Sequence, residues 1–80
     1  MKIITEIEIL GWIGAVMILV AYALSNFGIL GPTDFVYQIL NIFGALAIVY
    51  HSLTKKDYQP VVLNIIWAMV AVLAILKIVI

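Results

Sequence analysis

The chain has 80 residues, 68% of them hydrophobic and 10% charged, with a formal net charge of zero. A soluble domain of this length cannot hide so much apolar surface, because small domains bury only a modest fraction of their area, so the mean hydropathy of +1.32 argues for a bilayer as solvent. Zero net charge and the lack of a basic patch speak against a nucleic-acid partner. The absence of cysteine removes disulfides and thiolate chemistry, and a lone histidine, His51, leaves no metal site to expect; no cofactor is expected either.

The N-terminal run MKIITEIEIL carries Glu6 and Glu8 where a signal peptide needs a positive region, and the apolar run after it is long for one. It reads as the retained start of a first span, residues 9–26. No residue from Ile9 to Thr33 is charged. Gly28, Gly31 and Pro32 then punctuate a helix end and a turn. Gly28 is a candidate C-cap glycine, and Thr33 or Asp34 is placed to cap the next helix.

The second span covers residues 35–54 and ends at Lys55-Lys56-Asp57. Tyr58-Gln59-Pro60 opens the third, residues 58–76, with proline in the first turn, where its missing N–H needs no partner. Each span is about 20 residues, the length of a helix across a bilayer core. The fold class expected is therefore an all-α integral membrane protein, one domain of three transmembrane helices. Lys2, Lys55 and Lys56 fall on one side and Lys77 on the other. The positive-inside rule then places the N-terminus in the cytoplasm.

Polar side chains inside the spans are the candidate functional residues. Asn64 and Trp67 lie three apart, near mid-depth of the third helix and on one face. An amide in hydrocarbon is costly unless paired, so Asn64 must look into protein or a wet cavity. Gln38 and Asn41 are also three apart, and with Tyr22 they are expected at similar depth, in one polar cluster near the first connection. Interhelical glue is the plainer role for Gln38 and Asn41. Trp12, Tyr50 and Tyr58 read as interface anchors, and His51, four residues before Lys55, as solvated. Tyr50, His51 and Ser52 are consecutive and point in different directions on a helix, so they compose no nucleophile–base pair; the protein is not expected to be an enzyme. Gly11, Gly14, Ala15, Gly44, Ala45, Ala47, Ala68 and Ala71 allow close backbone approach. Three helices enclose little space, so a cavity would require a second copy, and a homodimer is expected.

The segments LGWIGAVMILVAYAL, FVYQILNIFGALAIVYHSL and KKDYQPVVLNIIWAMVAVLAIL resemble the three helices of the SemiSWEET half-transporters, within the PQ-loop (MtN3-like) group. The resemblance implies a SemiSWEET-like three-helix bundle with the third helix between the first and second. It also implies a dimer in which Asn64 lines a sugar-type pocket. The Pro-Gln pair of the SemiSWEET first helix has no counterpart at Ala21–Leu24. The elements GWIGA, AY, YQ-x-LN-x-x-GA and VVLN-x-x-W also resemble a family of small, uncharacterised bacterial membrane proteins, and this resemblance implies a bacterial inner membrane as the expected location.

Two functions follow as expectations. The first is a dimeric PQ-loop-type carrier or binder of a small neutral polar solute, with Asn64, Trp67, Asn41, Gln38 and Tyr22 facing the solute. The absence of charge inside the spans favours a neutral solute over an ion. The alternative is a non-transporting structural or regulatory protein that docks on a larger membrane partner.

Overall fold

A computed structural model describes residues 2–80, with side chains from Thr5 onward. The side chain of Lys2, which the charge count uses, lies outside the described residues. Three helices form: α1 (Lys2–Asn26), α2 (Phe35–Thr54) and α3 (Tyr58–Val79). All three are long and apolar enough to cross a membrane. At about 1.5 Å rise per residue, the 20 residues of α2 extend about 30 Å, the thickness of a bilayer core.

The distribution of side chains is that of a protein solvated by lipid. The buried apolar residues are small, Ala21, Ala45, Ala68 and Ala71, joined by Val61, and the buried polar ones are Gln38, Asn41, Ser52 and Asn64. The large apolar residues point outward: Trp12 is 71% exposed, Leu19 64% and Leu73 63%. Water would penalise that surface by about 25 cal/mol per Å² of apolar area, whereas hydrocarbon does not. Small residues inside let the backbones approach, which is how helices gain packing energy in lipid.

Both connections are closed by the same device. At the end of α1, Gly28 has φ +76°. Its N–H donates to Ser25 O at 3.1 Å, and Ile29 N–H donates to Leu24 O at 2.9 Å. This is a Schellman motif, which satisfies carbonyls the helix end leaves open. At the end of α2, Lys56 takes glycine's place at φ +55°. Its N–H donates to Leu53 O at 3.1 Å, and Asp57 N–H donates to Ser52 O at 2.9 Å. Asp34 holds the N-cap position of α2 but does not cap it through its side chain. Its Oδ2 instead accepts from Gly31 N–H at 2.6 Å, tightening the turn before the helix.

The helices stand side by side with α2 in the middle. It packs against both α1 and α3, and among the described residues no Cα of α1 comes within 8 Å of one in α3. The three-span, all-α architecture is as expected, but the spatial order corrects the one that the resemblance implied. The cause lies in α2, which presents narrow faces on two sides. Towards α1, a Cβ added at Gly14 would lie 2.7 Å from Gly44 O and 2.8 Å from Ala47 Cβ. Towards α3, Asn41 bonds Trp67.

Candidate functional site

The site grows from the seam between α2 and α3. Val61, Asn64, Ala68 and Ala71 are the buried residues of α3. They recur at helical spacing along one stripe, and since α3 packs only on α2, that stripe faces α2. Gln38, Asn41 and Ala45 supply the matching stripe on α2.

The polar groups of the seam bond one another and the backbone. Trp67 Nε1–H donates to Asn41 Oδ1 at 2.9 Å, crossing from α3 to α2. Asn41 Nδ2 in turn donates to Tyr37 O at 2.8 Å, one turn back along its own helix. Gln38 Nε2 donates to Pro32 O at 2.8 Å and ties the connection to α2. Asn64 repeats the Asn41 pattern, with Nδ2 donating to Pro60 O at 2.9 Å, but no donor among the described residues reaches its Oδ1.

Above this seam lies a groove of about 360 Å³, open on one side, lined by Gln38, Asn41 and Trp67 together with Pro32, Ala71 and Ala74. Three of the five expected site residues therefore converge. Asn64 does not line the groove; it is buried at 8% exposure in the α2–α3 contact. Tyr22 stands apart on α1 with 65% of its surface exposed, and the expected cluster of Tyr22 with Gln38 and Asn41 does not form. The reason is rotation about the α1 axis. The buried residue beside it is Ala21, and one residue along a helix turns the side chain by about 100°.

A second polar cluster sits at the other end of the α1–α2 seam. His51 Nε2 lies 3.1 Å from Glu8 Oε1, and Lys55 Nζ pairs with the same carboxylate oxygen. The His51 ring rests on Gly11, where an added Cβ would meet ring carbons at 2.7 and 2.8 Å. His51 is thus half-buried and partnered, not simply solvated as its position near Lys55 suggests. Two spacings in the sequence point to this arrangement. Glu8 and Gly11 are three apart, and His51 and Lys55 are four apart, so each pair presents one face.

A model of a family of uncharacterised function matches residues 7–80, which takes in α2, α3 and nearly all of α1. The chain belongs to this family. Neither the curated proteins nor the solved structures provide a match. The matched region contains both polar clusters and the Gly14–Gly44 approach, so the geometry above lies within the family's domain.

Proposed function

We propose that this chain is a non-enzymatic interaction protein of the membrane, a three-helix layer that docks on a larger membrane partner. The observation that carries the reading is the bond from Trp67 to Asn41. The polar groups that a solute would need are engaged within the chain: Trp67 through its only donor, which holds α3 to α2, Asn41 at both ends of its amide, and Gln38 through Nε2 to the connection before α2. The bond that crosses the seam, from Trp67 to Asn41, contributes roughly 0.6–2 kcal/mol to it. The separation of α1 from α3 supports the same reading, since each outer helix keeps a broad apolar face available. In this reading the protein lies in a bacterial inner membrane with its N-terminus in the cytoplasm.

The test is photo-crosslinking in native membranes, with a benzophenone side chain at Leu19 of α1 and, separately, at Leu73 of α3. A docking protein yields one heterologous adduct in stoichiometric amount, from one of the two faces. Adducts to lipid alone, or to a second copy alone, from both positions would remove the support for docking.

The second reading is a homodimeric carrier or binder of a small neutral polar solute, related in mode to PQ-loop half-transporters. What favours it is the convergence of Gln38, Asn41 and Trp67 on a groove of about 360 Å³, which a second copy facing the first would close. Liposome uptake over a panel of sugars, amino acids and polyols separates it from docking. Uptake that is lost in Asn41→Ala supports the carrier, and a panel without uptake or binding removes it.

A further inference from the structure

The groove beside Trp67 does not end at Ala74. A second hollow of about 420 Å³ continues from it, sharing Pro32 and Ala74 and adding Thr33, Ile78 and Lys77. From Trp67 to Lys77 is ten residues of α3, or about 15 Å at 1.5 Å per residue. That is half the thickness of a bilayer core, about 30 Å. The hollow therefore runs through the depth of one leaflet, from mid-membrane to the surface.

Its chemistry changes along that path. The deep part is walled by hydrocarbon, by Ala71 and Ala74 from α3 with Leu63 and Val70 beside them. The Trp67 indole N–H has donated to Asn41 Oδ1, and the amides of Asn41 and Gln38 to the carbonyls of Tyr37 and Pro32, so the deep part offers a guest little hydrogen bonding. The mouth is different. Lys77 and Thr33 line it, and Lys77 is the one Lys or Arg of the sequence at that end of the helices. Asp34, the nearby acid, turns its carboxylate to Gly31 N–H and is not part of the mouth.

We propose that this groove is a binding site for an anionic phospholipid of the leaflet at the C-terminal end of α3. One acyl chain lies between α2 and α3 with its end near Trp67, and the phosphate meets Lys77 and the Thr33 hydroxyl. An apolar slot of leaflet depth with a cation at its mouth matches a lipid in length, polarity and charge. The site stands independently of the docking role, since it uses only groups on α2, α3 and the connection before α2.

Tryptophan quenching by lipids brominated along their acyl chains tests it. The protein has two tryptophans, so Trp12→Phe leaves Trp67 as the reporter. In bilayers of unlabelled phosphatidylcholine, brominated phosphatidylglycerol should half-quench Trp67 at a mole fraction about fivefold lower than brominated phosphatidylcholine does, the preference one lysine near the surface confers. Lys77→Gln should bring the two curves together. Filling the slot with Ala74→Leu should weaken quenching by both lipids. Its fold is checked by helical circular dichroism, and a photoreactive acyl chain mapped on the unfilled protein gives the same readout without that substitution, with labels expected near Trp67 and Val70. Equal quenching by the two lipids, a preference that survives Lys77→Gln, or labels spread evenly over all three helices would overturn the assignment.

Discussion

Gly14 and Gly44 face each other across α1 and α2 so closely that a Cβ on Gly14 would lie 2.7 Å from Gly44 O, and one on Gly44 would lie 2.9 Å from Gly14 O. The approach is reciprocal and runs through backbone atoms, which cannot rotate aside. Gly14→Ala should therefore force the helices apart despite the roughly 1 kcal/mol that alanine gains in helix propensity. A net loss of about 1–2 kcal/mol is expected, within the usual cost of overpacking. Reversible unfolding in mixed micelles measures it. Since one separation relieves both clashes, Gly14→Ala with Gly44→Ala should cost clearly less than the sum of the single changes; full additivity would contradict a shared contact.

The hydrogen bond from Trp67 to Asn41 should appear as a coupling energy. Trp67→Phe removes the donor and leaves Asn41 Oδ1 without its partner. Asn41→Leu removes the acceptor and also frees Tyr37 O. A double-mutant cycle over these two positions is expected to give a coupling of about 0.6–2 kcal/mol. Trp67→Phe with Asn64→Leu is the control, because no bond joins those side chains, and its coupling should be near zero.

Lys56 occupies a left-handed conformation, φ +55°, that costs a residue with a Cβ roughly 1–2 kcal/mol. Lys56→Gly keeps the two backbone bonds of the motif and relieves that cost, so it should stabilise the protein by about 1 kcal/mol in the same unfolding assay. The converse holds at Gly28, φ +76°, where nothing crowds an added Cβ. Gly28→Ala should destabilise by about 1 kcal/mol through backbone strain alone. A neutral result there would show that the turn has another conformation to adopt.

Gly11→Val should dislodge the His51 ring, because the added side chain occupies the place of the ring carbons. His51 would then lose Glu8, and the ring's nitrogen-15 shifts in detergent should move to those of Glu8→Gln. If Gly11→Val leaves the His51 signals unchanged, the ring does not rest on Gly11.

Much of the architecture was legible in the sequence. The ends of α2 coincide with the expected second span, and Gly28 terminates α1 as a C-cap glycine should. These features depend on local chemistry, on charge runs, proline and the special backbone freedom of glycine. α3 reaches Val79, three residues beyond the expected Leu76, because Lys77 on a helix can keep its charge at the surface while the apolar residues beside it continue the turn.

The neighbour relations were less legible. Depth along the membrane can be counted from a span's start, but rotation about the helix axis cannot. Tyr22 has the right depth to join Gln38 and Asn41, yet Ala21 holds the buried direction. The order of the helices needed a comparison of faces. In α2, Gly44, Ala47 and His51 form one narrow face, with Gly14 and Gly11 of α1 against it, while Gln38 and Asn41 lead a second face towards α3. Only in retrospect does α2 read as the helix with two partners. Trp67 does line the groove, as its mid-depth position suggests, but its bond to Asn41, which depth alone does not reveal, gives that position a second reason.

The central position of α2 also sets an order of assembly. Each helix pairing joins neighbours in the chain, α1 with α2 and α2 with α3, so each pairing closes over a short connection at low entropic cost. The first hairpin needs nothing from α3, which joins a finished edge instead of inserting between two partners. A chain cut after Asp57 should accordingly still form the first hairpin, with His51 on Gly11 and Gly14 on Gly44, and should accept α3 supplied as a separate peptide.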